Sequence, residues 1–194
     1  MHTEDKEGKY FKILDSAIKV FAESGVENST VSKIAARAGV ADGTIYLYFK
    51  NKNDILIKFA ADRGEKIFLK FEEAVKKGKN SREKLFNLIF SHIEIFSQNR
   101  EIAVVYQSEL CKIHGCQPKI RELSMRYRQT IRDILVAGQK EGTVSGEADI
   151  DFVKNVVSGS INEVINTFIV KENKEIDVLK ISEKLIDFIF SGLG

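Results

Sequence analysis

The sequence predicts an all-helical protein, a small three-helix head followed by a longer helical body. Three observations predict it. Apolar residues recur at helical spacing along nearly the whole chain, strand-like alternation is scarce, and the single proline, Pro118, stands where a helix would begin. Gly, Asn and Ser separate the periodic stretches, as helix ends require, and divide the chain into about nine helices.

Taken in order, the first helix is expected from Lys9 to Ser24, with Ile13, Leu14, Ala17, Ile18, Phe21 and Ala22 on one face and Gly25 ending it. Thr30 caps a short second helix that turns Val31, Ile34, Ala35 and Ala38 inward, and Gly39 ends that one. A third short helix is expected over Asp42–Tyr48. Longer ones follow over Asn53–Lys77, Ser81–Gln98 (with Ser81 as cap), Arg100–Lys112, Pro118–Glu141, Asp149–Val170 and Asp177–Ser191. Proline is tolerated in a first turn, where its missing N–H has no helical partner. The expected division is a head over residues 1–52 and a body over 53–194.

Composition narrows the class without naming a function. With 194 residues, 43% hydrophobic and 30% charged, the chain reads as a soluble globular protein. No run approaches the roughly 18 apolar residues of a membrane span. The start, MHTEDKEGKY, carries both signs of charge and no apolar run behind it, unlike a secretory signal. With only Cys111 and Cys116, a reducing cytoplasm is the expected location. Residues 1–52 hold eight Lys/Arg against seven Asp/Glu, so charge counting does not point to nucleic acid. Placement must.

Placement does so in Thr30–Phe49, TVSKIAARAGVADGTIYLYF. Two short helices that cross steeply need a small residue at the contact, a glycine in the turn and apolar plugs from the second helix. Ala35, Gly39, Val40 and Ile45 stand at those positions, with Phe49 closing the base. Turning Ile45 and Phe49 inward leaves Thr44, Tyr46 and Tyr48 outward, where hydroxyls reach phosphates and Thr44 reaches a thymine methyl. Gly43 allows close backbone approach. Thr30, Ser32 and Lys33 open the preceding helix, whose free N–H groups favour a phosphate. Lys52 suits the opposite phosphate wall, and Asp42 caps the third helix or accepts from a cytosine amino group. The double-stranded DNA contacts expected are therefore Thr30, Ser32, Lys33, Asp42, Gly43, Thr44, Tyr46, Tyr48 and Lys52.

The run TVSKIAARAGVADGTIYLYFKNKNDIL resembles the signature of the TetR family of repressors, with the match extending from Lys9 to about Leu56. Within that family, VADGTIYLYFKNKNDILI is most similar to the regulators of fatty-acid degradation that respond to long-chain acyl-CoA, and VVSGSINEVINTFIV (Val156–Val170) resembles their corresponding late helix. The resemblance implies a helix-turn-helix head, a homodimer on a palindromic operator, no cofactor, and release from DNA when an effector, here long-chain acyl-CoA, enters the body. It places Gly43, Thr44, Tyr46, Tyr48 and Lys52 on DNA. Ala41 departs from the pattern, standing where many members have a capping serine, which leaves the cap to Asp42.

The last two helices are apolar on too much of their circumference for a monomer, and a helix hydrophobic on two sides must bury both. A two-fold, four-helix seam is expected through Val156, Gly159, Ser160, Phe168, Leu185, Phe188 and Ile189, with Ser158 also small enough for close approach. Two heads on a two-fold axis also match half-sites one turn apart. Aromatic residues concentrate in the two helices after the head. An apolar effector cavity is expected among Phe68, Phe71, Ile89, Phe90, Ile93 and Phe96, with Tyr106, Tyr127 and Ile131, although the same residues would equally fill a core. An acyl-CoA also needs cations, and Arg128 and Arg132 share a helix face with Arg121; a solvated face is the alternative. Cys111, His114 and Cys116 match no usual zinc spacing, so no metal is expected. His92 stands alone on its helix, and neither G-x-S-x-G nor a glycine-rich phosphate loop occurs, so an enzyme is not expected. Two rivals stay open: a TetR-type multidrug or other small-molecule sensor, and a helical enzyme or interaction module without DNA binding.

Overall fold

Helices begin where a side chain can accept the first free N–H groups and end where glycine or a wider turn breaks the ladder. The computed structural model describes residues 3–110, 118–171 and 175–192, and its regular elements there are all helical. Helix α1 spans Thr3–Ser24, starting ahead of the expected Lys9. Gly25 follows in the left-handed region at φ 73°. In α2 (Val31–Ala38), Thr30 accepts from the Lys33 N–H, and Gly39 at φ 64° returns its own N–H to the last carbonyls. Helix α3 is only Asp42–Tyr46, and its cap position, Ala41, makes no side-chain bond. The expected cap, Asp42, instead accepts a hydrogen bond from the Ser32 hydroxyl. Its carboxylate lies inside the first turn and ties α2 to α3.

The long elements are α4 (Lys52–Lys76), α5 (Ser81–Gln98), α6 (Arg100–Val105, widening into a π-type turn over Tyr106–Leu110), α7 (Pro118–Glu141), α8 (Ile150–Val164, continuing as a π-type turn over Ile165–Lys171) and α9 (Val178–Ser191). Asn80, not Ser81, caps α5 by accepting from Glu83 N–H at 2.9 Å. Ser81 is drawn elsewhere: its N–H donates to Glu141 at 2.8 Å and its hydroxyl pairs with Thr143 at 2.7 Å, which binds the start of α5 to the end of α7.

Two apolar clusters form. The first joins Ile13, Leu14, Phe21, Ile34, Ala35, Ala38, Ile45 and Phe49 of the head to Ile55, Leu56, Phe59 and Ala60 of α4, and to Val105 and Ile120. The second holds Phe68 and Phe71 of α4 with the inner faces of α5, α7, α8 and α9. The head's core therefore continues about two turns into α4 and borrows from the body. Polar links reinforce the join. Tyr10 donates to Asp62 at 2.7 Å, Arg63 to Asp15 at 2.7 Å and Lys58 to the Tyr48 carbonyl at 2.9 Å. Tyr10 also stacks on Phe49 with ring centroids 5.1 Å apart. The head rides on α4.

Helices α4 and α7 are drawn together by charge. Arg126 donates to Glu65 at 2.8 Å and lies over the Phe68 ring at 4.1 Å, and Lys119 reaches Glu65 at 3.0 Å. Hydrogen bonds from Arg126 first, then Lys119, hold the Glu65 carboxyl below the usual carboxylate range. The pair is close enough that a Cβ on Gly64 would stand 2.8 Å from Leu123.

Candidate functional site

The α2–α3 unit meets the geometric demand set by its sequence. Ile45 and Phe49 lie buried against Ile34, Ala35 and Ala38, so α3 is fixed on α2 by its apolar side. What remains faces solvent. Tyr46 is 60% exposed, Gly43 is exposed and Thr44 is half-buried. Thr30, Ser32 and Lys33 are exposed at the start of α2. Two of the expected contacts are placed differently. The Tyr48 ring is half-buried beside Tyr10 and Phe49, leaving it at the edge of the exposed surface. The Lys52 ammonium turns back to donate to the Glu27 carbonyl at 2.7 Å and the Ser29 carbonyl at 3.2 Å, bracing the α1–α2 loop. One residue escaped the sequence reading: Leu47, just past α3, is 79% exposed. A large apolar side chain left in water beside Tyr46 was legible as the residue between two outward tyrosines.

Beneath the head, α4, α5, α6 and α7 enclose an apolar cavity of about 130 Å³. Of the expected lining, Phe68, Phe71, Phe96, Tyr106 and Tyr127 are present. Ile89, Ile93 and Ile131 are instead core residues, and Phe90 stacks near Phe86 at 6.1 Å, so these four do not line the space. Arg128 is exposed and Arg132 lies 3.8 Å from Asp151, both outside the lining. Phe59, Arg63, Gly64, Ile67, Ile102 and Ile120 complete the walls with Leu123 and Ser124. The cavity also holds His92, whose Nδ1 shares a 2.8 Å hydrogen bond with the Tyr127 hydroxyl. Cys111, His114 and Cys116 lie outside the described residues.

Burial in this apolar setting disfavours both charged forms: it raises the Tyr127 hydroxyl and lowers His92 to about 3. His92 is therefore neutral in the fold at any ordinary pH, while in the unfolded chain it takes a proton near pH 6.5. Its contribution to stability is complete above about pH 6.5 and is lost as pH falls toward 3, by about 1.4 kcal/mol per unit. We expect the denaturation midpoint to fall between pH 6 and pH 4, and to fall less in His92→Gln; identical pH slopes for the two proteins would show that His92 is not buried neutral.

On the far side of the body, α8 lies mainly on α7, and α9 on α5. Val153, Val157, Ile161 and Ile186 face the core, and Ile189 is also buried. The opposite faces stay open: Phe152 is 66% and Phe188 69% exposed, with Val156, Gly159 and Leu179 exposed too. A groove of about 250 Å³ runs between Phe152, Val156 and Phe188. Leu185 and Phe168 are half-buried, and Ser160 donates to the Val156 carbonyl at 2.8 Å.

Comparison with known proteins matches both halves of the chain. Residues 13–58 match bacterial regulatory proteins of the tetR family, and residues 61–192 match the C-terminal region of YsiA-like proteins. The fatty acid metabolism regulator protein of Bacillus subtilis is 35% identical over 191 residues, covering 98% of each chain. The chain belongs to the TetR family. Among solved members, FadR from Bacillus subtilis in complex with stearoyl-CoA superposes with a TM-score of 0.82 at 34% identity, over 95% of this chain and 100% of that one. The fatty acid degradation regulator FadR from Bacillus halodurans gives 0.83 at 31%, over 94% of each. The repressor KstR2 of Rhodococcus jostii is 28% identical over 77% of this chain and 74% of its own. The two matched stretches meet within α4, whose Ile55, Leu56, Phe59 and Ala60 belong to the head's cluster and whose Phe68 and Phe71 belong to the body's.

Proposed function

We propose that this TetR-family protein is a cytoplasmic repressor that holds a palindromic operator as a homodimer and lets it go when long-chain acyl-CoA enters the body. The observation that carries the reading is a junction: α4 supplies core residues to the head and, farther along, the walls of the apolar cavity. Whatever widens the cavity moves the helix on which the head sits.

On the DNA side, the exposed edge of α3 offers Gly43, Thr44, Tyr46 and Leu47 to a major groove, while Thr30, Ser32 and Lys33 approach phosphate. The open faces of α8 and α9 bury Phe152, Val156 and Phe188 against their copies and set the two heads one helical turn apart. On the effector side, pockets for small molecules run to roughly 300–1,000 Å³. The cavity, at about 130 Å³, admits an acyl chain only if α4 and α7 part. Each part-exposed ion pair between them contributes about 0–1 kcal/mol, and each buried methylene about 0.8 kcal/mol. A few methylenes therefore outweigh the Arg126–Glu65–Lys119 tie. Swinging a two-state population from 1:99 to 99:1 takes about 5.5 kcal/mol of preference, within reach of a long chain and out of reach of a short one. Likeness to the stearoyl-CoA complex of the Bacillus subtilis regulator supports the choice of effector.

A second reading, a sensor of some other compact molecule, draws on the small volume and on the polar His92–Tyr127 pair inside it. One experiment separates the two. The operator is recovered by selection from genomic fragments, and its complex with the full-length protein is challenged with stearoyl-CoA or with free CoA. Release by stearoyl-CoA alone is expected. A complex indifferent to stearoyl-CoA, with a compact ring molecule in the denatured extract of the purified protein, overturns the acyl-CoA assignment.

A further inference from the structure

Helix α5 carries a histidine into the wall of the apolar cavity. His92 is 5% exposed and sits among the rings of Phe71, Phe96 and Tyr127, whose centroids lie 5.0, 5.0 and 5.2 Å from its own. Rings from α4, α5 and α7 thus fix the plane of the imidazole beside the phenol. Its Nδ1 and the Tyr127 hydroxyl share one hydrogen bond of 2.8 Å, and neither side chain makes another among the described residues.

Counting hydrogens shows what that leaves. A neutral imidazole carries one N–H and a phenol one O–H, and the shared bond uses one of the two. If Tyr127 donates, His92 keeps an Nε2–H; if His92 donates from Nδ1, Tyr127 keeps its O–H. The tautomer decides which residue holds the spare hydrogen, not whether there is one. Both residues line the cavity, so the donor belongs to its wall in either case. A buried donor without an acceptor is costly, and a run of methylenes offers none. Any water that meets the donor is displaced by an incoming tail whose CH₂ groups cannot replace its bond.

The surroundings narrow the acceptor further. Phe68, Phe71, Phe96 and Ile102 place carbon around the pair. A thioester carbonyl brings the amides of its carrier a few bonds behind it, and those need polar partners of their own. A hydroxyl or ketone along the tail has methylenes on both sides, as this wall requires. We propose that the His92–Tyr127 pair selects acyl chains bearing an oxygen, a hydroxyl or keto group part-way along the tail, over saturated chains of the same length. This rests on the acyl-CoA reading above and narrows its effector to an oxygenated long-chain acyl thioester. A site built to hydrogen-bond one group discriminates against the analogue lacking it more sharply than a carbon pocket discriminates by one methylene.

The test uses the full-length protein in equilibrium binding, with stearoyl-CoA and hydroxystearoyl-CoA isomers bearing the hydroxyl on successive carbons. The CoA portion is common to all, so affinity ratios report the tail alone. The parent is expected to bind one isomer, or two neighbouring ones, about 10- to 100-fold more tightly than stearoyl-CoA, and the keto analogue at that carbon should keep the preference. In H92L/Y127F, which exchanges both polar groups for apolar ones of similar bulk, stearoyl-CoA and that isomer are expected to bind within about two-fold of each other. Helix content and thermal midpoint check that the variant folds; if it does not, the parent's own ratios decide. A parent that prefers no isomer overturns the proposal while the acyl-CoA reading stands. A preference that persists in H92L/Y127F overturns it too, since the donor then lies elsewhere. Loss of affinity on removing only the carbonyl, in S-octadecyl-CoA, with no preference among the isomers, gives the donor to the thioester and overturns the chain assignment. A parent that binds none of these thioesters overturns the acyl-CoA reading and this proposal with it.

Discussion

Tyr46→Ala is expected to lower operator affinity about 100-fold, the equivalent of roughly 1.4 kcal/mol lost at each of two half-sites. The side chain stands in solvent on α3, and among the described residues no ring or polar contact holds it to the rest of the protein. Its removal should leave the thermal midpoint and the dimer unaltered, which makes the loss specific to DNA. A titration of labelled operator in moderate salt reads the effect, and light scattering on the same samples checks the dimer. Full affinity retained by Tyr46→Ala would mean that another surface meets the duplex. Salt adds a discriminating detail: phosphate contacts release counterions and groove contacts do not. If Tyr46 touches a base edge, the salt slope persists in the variant while the affinity falls.

The second large effect is expected from Phe188→Lys. Phe188 is 69% exposed beside the groove it shares with Phe152 and Val156. Burying a phenylalanine contributes about 1.5–3 kcal/mol, and a two-fold seam loses it twice, so the dimer dissociation constant should rise about 100- to 10,000-fold. The introduced ammonium groups, facing one another across the axis, act in the same direction. Sedimentation at micromolar concentration should find monomers with unchanged helix content, and operator binding should fall with the dimer. A protein that remains dimeric places the partner elsewhere, and the exposed faces of α8 and α9 would then need a different cover.

What could be read in advance depended on distance along the chain. The α2–α3 unit is local: Ala35, Gly39 and Ile45 determine one another over eleven residues, and their burial and turn geometry follow from the spacing. Capping was less transparent, because neighbouring acceptors compete. Asn80 outcompetes Ser81, which Glu141 and Thr143 draw to the far end of α7, and Asp42 is engaged by Ser32. The cavity was legible only by composition. Phe71 and Phe96 face it while Ile89 and Ile93, on the same crowded helix pair, do not, since which face stays open is decided where α4, α5 and α7 meet. His92 read as solitary for the same reason: its partner, Tyr127, stands 35 positions away. Long flexible side chains were the least predictable, as Lys52 shows by folding back onto the Glu27 and Ser29 carbonyls.

The sharing of Phe59 and its neighbours between the two cores bears on how such regulators can be recombined. A fragment cut at residue 52 would forfeit Ile55, Leu56, Phe59 and Ala60 together with Val105 and Ile120, leaving Phe21, Ile34 and Ile45 uncovered in water. A grafted reading module would have to carry α4 with it as far as Ala60, and its new host would have to offer apolar side chains of matching shape at the Val105 and Ile120 positions. Chimeras joined at the apparent linker should therefore precipitate, whereas those joined inside the helix should stay in solution and inherit the donor's operator preference.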